Sequence, residues 1–205
     1  MIFSSTLIEE AVNEFSRLPG IGKKTAMRLV LHLLKQDQDL VTKFSGSIQN
    51  MRQKIQYCSH CHNVSDHAIC RICNDSARKQ SMICVVESIR DVMAIEATQQ
   101  YSGVYHVLGG LISPLEGIGP DQLQIQSLIT RIESQSAEEI IMAISPTIDG
   151  DTTAYYISKK LKHLPLRMTT LSRGVAFGGE LEYADEMTLA RSLMNRLPIE
   201  HIVSE

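Results

Sequence analysis

The 205-residue sequence predicts an α/β protein assembled from several modules in a row. Three observations carry that fold class. Two apolar stripes of helical spacing flank a glycine-rich turn near the start, and four cysteines follow in paired C-x2-C spacing. From residue 81 onward, short β-branched runs alternate with helical stretches. The expected order is a helical region over 1–55, a small metal-held module over 56–79, a mostly parallel sheet with helices over 80–172, and a helical arm over 173–205.

Composition narrows the function classes. Hydrophobic content of 43% and charged content of 21% are ordinary for a globular chain able to bury a core. No apolar run approaches the roughly 18 residues that a membrane span needs. "MIFSSTLIEE" lacks a basic leader and an A-x-A-like cleavage site, so no signal peptide is expected. The expected compartment is the reducing cytoplasm, where structural disulfides are rare. The net charge of −3 divides unevenly, with +3 over residues 1–55, +1 over 56–80 and −7 over 81–205. A polyanion would therefore be held at the front.

In the front, Leu7, Ile8, Ala11, Val12 and Phe15 form one helical stripe, and Thr6 with Glu9 fits a capping box at its start. Pro19-Gly20 ends that helix, and Ala26, Leu29, Val30, Leu33 and Leu34 mark the next. The intervening "LPGIGKKTA" is not a P-loop. Arg17 stands where the first glycine of G-x-x-x-x-G-K-[ST] belongs, and Lys24 stands at the Ser/Thr position. Gly20 and Gly22 instead permit φ > 0 and let bare backbone approach a ligand. Free N–H groups opening the second helix attract an anion, with Lys23, Lys24 and Arg28 adding charge. Such a turn grips one backbone phosphate without reading bases. L-P-G-I-G-x-x-x-A resembles the helix-hairpin-helix motif of DNA repair and replication proteins; a plain αα-hairpin is the alternative. Leu40, Phe44, Ile48, Met51 and Ile55 predict a third helix.

"CSHCHNVSDHAICRIC" supplies Cys58, Cys61, Cys70 and Cys73 as C-x2-C-x8-C-x2-C. Two such knuckles complete a closed tetrahedral sulfur shell, so the expected cofactor is one structural zinc per chain. His60, His62 and His67 are read as spacer residues. Redox chemistry of a C-x-x-C pair is the rival, but it needs a helix N-terminus in a βαβ setting. Cys84 lies in an apolar run and is expected in the core.

Beyond residue 81, "MICVVE", "VYHVLGG" (104–110), "EIIMAIS" (139–145) and "LRMTTLS" (166–172) predict strands. Helices are expected near 91–99, 121–134 and 152–163, which gives a mostly parallel sheet. Sites in such sheets lie at strand carboxyl ends. Glu87 and the loop "SPTIDGD" (145–151) are placed there, facing each other if their strands are neighbours. A glutamate after one strand and an acidic loop after another resembles the Toprim arrangement of topoisomerases, primases and some nucleases. There, carboxylates hold magnesium for phosphoryl transfer. Here Ser145 and Thr147 replace the two metal-binding aspartates, leaving Glu87, Asp149 and Asp151. Asp151, just before "TTAYY", also fits a helix cap.

Taken together, "LPGIGKKTA", the four-cysteine module, "VVESIRDVMAIE", "YHVLGGLISPLEGIGP" and "SRGVAFGGELEYADEMTLARSL" resemble the RecR family of bacterial recombination mediators over essentially the full length. That resemblance implies a homo-oligomeric ring, a dimer or tetramer, that encircles single- or double-stranded DNA. It further implies action with RecO and RecF to help RecA displace single-strand-binding protein at gaps. No catalytic residue is expected, and Glu87, Asp149 and Asp151 become an acidic rim for a basic partner. The family labels the terminal region Walker-B-like. With no Walker A upstream, its Leu189, Leu193 and Leu197 stripe reads as a subunit-contact arm, or as a helix docked on its own sheet. The competing classes are a magnesium-dependent Toprim enzyme, such as a nuclease or primase, and a zinc-containing transcription regulator. The missing aspartates weigh against the first, and the lack of a basic recognition helix against the second.

Overall fold

The computed structural model describes residues 5–135, 137–175, 178–196 and 198. The chain divides into two compact units, Met1–Ile55 and Gln56–Glu205.

The first unit holds α1 (Thr6–Ser16), α2 (Lys23–Leu34) and α3 (Gln38–Lys54). Val12, Ala26 and Val30 form the buried contact between α1 and α2, with Ile8, Ala11, Phe15, Ile21 and Met27 packed around it. The predicted stripes are thus partly realised, although Leu7 and Leu34 face outward. The Thr6–Glu9 capping box is not formed. Ser5 is the N-cap, its side chain makes no cap hydrogen bond, and Glu9 lies in the first turn, where it favours the helix dipole. No residue of α3 is buried, and Leu40, Phe44, Ile48 and Met51 are all exposed.

In the second unit, β1 (Gln56–Tyr57) pairs antiparallel with β2 (Val64–Ser65), and α4 (Arg71–Asn74) follows. The main sheet contains β3 (Lys79–Val86), β4 (Gly103–Val107), β5 (Glu139–Ala143) and β6 (Arg167–Thr170), all parallel, in the order β4-β3-β5-β6. Alternation along β3 divides the core between the two faces. Ile83 and Val85 point towards Leu128, Ile132, Ile157 and Leu161, which come from α6 (Ile125–Gln135) and α7 (Ile148–Leu161). Cys84 and Val86 point to the opposite face, where Val92 of α5 (Ile89–Ala97) covers them. Cys84 is a core residue, as its apolar setting predicts. The helix expected over 121–134 is split into a 3-10 turn, Pro120–Gln122, and α6.

The largest difference from expectation lies at α7, which begins at Ile148 rather than near residue 152. Thr147 is its N-cap, its hydroxyl accepting from the Gly150 N–H at 3.1 Å, so Asp151 is not the cap. Gly150 permits this tight entry, because a Cβ there would collide with the Ser145 carbonyl oxygen. The arm carries a 3-10 turn, Leu181–Tyr183, and α8 (Glu186–Met194). Leu197, the last member of the terminal stripe, lies outside the described residues.

Candidate functional site

The glycine turn of the first unit combines an unusual backbone with open surroundings. Gly20 has φ +77°, which favours glycine, whereas Gly22 is extended at φ −81° and serves as the N-cap of α2. Only one of the two glycines therefore needs positive φ. Among the described residues a Cβ at either position would meet nothing within 4 Å, so packing against them does not demand the second glycine. Lys23, Lys24 and Arg28 are exposed, and the N–H groups of the first α2 turn precede the first intrahelical bond, from the Ala26 N–H to the Gly22 carbonyl. The turn presents bare amides and three cations on one helix end and its next turn.

The cysteines are brought together as their spacing predicts. One ligand atom from each of Cys58, Cys61, Cys70 and Cys73 lies within 4.8 Å of the others, and all four residues are buried. The knuckle backbones already carry the bonds expected around sulfur ligands: the Cys70 N–H points to the Cys58 Sγ at 3.3 Å, and the Cys73 N–H to the Cys70 Sγ at 3.4 Å. The thiols of Cys61 and Cys70 hydrogen-bond each other, which raises the pKa of the first and lowers that of the second. Four packed sulfurs cannot all ionise without a cation among them, and a tetrahedral Zn2+ meets that need. The set suits one zinc ion. The histidines are not needed as ligands: His62 instead bonds the Ser127 hydroxyl of α6 at 2.6 Å.

The strands that carry Glu87 and the 145–151 loop are neighbours, β3 beside β5, so the two carboxyl ends adjoin. Their carboxylates nevertheless do not converge. Among the described residues, the four cysteines are the only group of three or more His, Cys, Asp and Glu whose ligand atoms lie within 4.8 Å of one another. Glu87 lines a cleft of about 490 Å³ with Tyr57, His62, Ser88, Gln122 and Gln124. Burial there, reinforced by the negative charge of Asp91, raises its pKa. Asp91 is itself engaged, accepting from the Ser88 N–H at 2.8 Å in a capping box. Asp151 is held elsewhere: Arg173 donates to it at 2.6 Å, and Arg191 stands 4.0 Å away. The Arg173 hydrogen bond lowers the Asp151 pKa. Sequence reading offered no cue to these two arginine partners, which lie in the arm more than twenty residues further along the chain.

The cysteine module is fused to the sheet at its β4 edge. The Val107 N–H donates to the Cys61 carbonyl at 2.8 Å, and Ile72 of α4 packs beside Cys84, Val86 and Tyr105. Arg131 of α6 is buried, and it donates to the Tyr105 carbonyl at 2.8 Å and the His60 carbonyl at 3.2 Å.

Comparison with known proteins gives four consecutive family matches. They are the RecR helix-hairpin-helix over residues 8–52, the RecR four-cysteine zinc finger domain over 55–75, the Toprim domain over 81–172 and the RecR C-terminal region over 174–197. The chain is 57% identical to "Recombination protein RecR" of Amoebophilus asiaticus over 96% of its length and 98% of that protein. It is 56% identical to the protein of the same name from Bacteroides fragilis, covering 95% of each. The corresponding Flavobacterium johnsoniae protein is also 56% identical, over 98% of this chain and 97% of its own.

Proposed function

The chain belongs to the RecR family of recombination proteins, and from that membership we propose that it is a non-enzymatic DNA clamp and mediator. A role in recombinational repair comes with the family. The finer reading is that an oligomer of this chain holds single- or double-stranded DNA without regard to sequence. It acts with RecO and RecF in the cytoplasm, so that RecA is loaded at single-stranded gaps.

The observation that carries the DNA reading is the open Gly20–Gly22 turn with exposed Lys23, Lys24 and Arg28 at the start of α2. Backbone amides and flexible cations recognise phosphate, which every sequence offers alike. The exposed apolar residues of α3, and Leu181, Tyr183, Met187, Leu193 and Met194 of the arm, support assembly with further copies. Glu87 and Asp149 are assigned to a basic protein partner.

A magnesium-dependent Toprim enzyme is the second reading. Against it stand Ser145 and Thr147 in place of aspartates, the use of the Thr147 hydroxyl as a helix cap, and the pairing of Asp151 with arginine. Neutral hydroxyls hold magnesium poorly beside water. Copurifying metal-dependent nicking that vanishes in Glu87→Gln would restore this alternative.

The test of the main reading is DNA binding by fluorescence anisotropy across a salt series. The double variant Lys23→Glu, Lys24→Glu should bind more weakly and shallow the log–log salt slope by about two, with its circular dichroism unchanged. Unaltered affinity and slope would move the grip to another surface.

A further inference from the structure

β4 is an outer strand of the main sheet, yet every residue of it is buried. Its residues 104, 106 and 108 turn their polar backbone groups towards β3, so those of 103, 105 and 107 point away from the sheet. Outward-facing groups of an edge strand are an invitation to pair with another chain. Here one outward group of each residue is occupied in turn. Arg78 donates to the Gly103 carbonyl at 3.2 Å, Arg131 to the Tyr105 carbonyl at 2.8 Å, and the Val107 N–H donates to the Cys61 carbonyl at 2.8 Å. All three covers belong to, or touch, the 56–79 module, and two of them engage its first knuckle.

Arg131 is the unusual member. It is 6% exposed, and the hydrogen bonds of its guanidinium among the described residues go to neutral oxygens: Tyr105 O, His60 O and, through Nε–H, Gln135 Oε1 at 3.0 Å. Arg78, by contrast, pairs with the Glu96 carboxylate. A buried cation with no anion is costly. His60 lies between Cys58 and Cys61, and four thiolates around one Zn2+ leave a net double negative charge. Through the His60 carbonyl Arg131 holds the first knuckle of that centre, which makes the metal shell the candidate for its anion.

We propose that Arg131 is a positioning residue and counter-charge for the zinc centre, and that through it the metalled module serves as the cover of the β4 edge. This rests on the cysteines taking one zinc, and it adds what the metal does for the rest of the unit. The guanidinium holds the first knuckle by the His60 carbonyl and β4 by the Tyr105 carbonyl at once. His62, held in a left-handed conformation at φ 58°, adds its bond to Ser127 on the same helix. When the metal leaves, the charge of its thiolate shell is lost with it, Arg131 has no counter-charge, and residues 103–107 become an open edge.

The test uses the full-length zinc protein and two readouts. Zinc transfer to a chromophoric chelator measures metal affinity, and hydrogen exchange with mass spectrometry follows the 103–107 segment. Arg131→Met should weaken zinc retention roughly 10- to 100-fold, the range seen for outer-shell partners of a metal site. Arg131→Lys, which keeps the charge, should recover most of that loss. Chelating the zinc from the unsubstituted protein should accelerate exchange at 103–107 relative to β5, which covers the case in which a variant fails to fold. Full zinc affinity in Arg131→Met would overturn the proposal, as would unchanged 103–107 protection after zinc removal. Failure to bind zinc at all would instead overturn the metal assignment beneath it.

Discussion

Glu87 sits where its surroundings oppose its charge. Burial first, and Asp91 second, raise its pKa, so the folded state penalises the ionised carboxyl. For an acid shifted this way, stability falls as pH rises from its ordinary value through the raised one, and the penalty is fully present above the raised value. A group kept at such a cost is a candidate for work other than folding. Glu87→Gln should therefore leave the melting temperature at pH 7 equal or higher, while weakening capture of a basic protein partner. A melting temperature lowered by several degrees in calorimetry would mean that Glu87 is structural. His106 makes the opposite case. Burial lowers its pKa to about 3, and its ring bonds the Gln124 carbonyl at 2.8 Å, so it is a neutral core residue under ordinary conditions.

Among the described residues, the terminal arm is tied to the start of α7 by Arg173 and Arg191, which bracket Asp151, while within the arm the Val175 N–H donates to the Ser192 hydroxyl at 3.1 Å. Exposed pairs of this kind contribute roughly 0.2–1 kcal/mol each, enough to bias an arm but not to lock it. Asp151→Asn should leave global unfolding nearly unchanged and speed tryptic cleavage after Arg173 and Arg191; unchanged cleavage would place the hold elsewhere. Because the Arg173 bond lowers the Asp151 pKa, its contribution is present above the ordinary carboxylate value and is lost as pH falls through the lowered one, so only acid releases the arm by this route. The cysteine knuckles, the first two helices and the four strands were legible in the sequence, because each rests on short-range spacing. The start of α7 was not, since Ser145, Thr147 and Asp151 all look like caps and only the path of Gly150 beneath the Ser145 carbonyl selects Thr147. Arg131 was equally hidden, acting on His60 from 71 residues away.

For the molecule as a whole, the first unit is thinly cored. Among the described residues, Val12, Ala26 and Val30 are its buried apolar residues, while the α3 stripe stays exposed. A 55-residue unit is at the lower limit of what one core can stabilise, and its apolar faces gain by covering each other. Light scattering at micromolar concentration should find an oligomer, and a strict monomer with and without DNA would sink the clamp. The strand order has a further consequence during synthesis. β3 is central, yet both strands that flank it are made after it. From Val86 the ribosome must add the chain as far as Ala143 before the second flank exists, several seconds at roughly 5–20 residues per second. During that interval the most apolar strand of the nascent chain has at least one side without a neighbour, so the pace of translation between those residues sets how long it is open to misassociation.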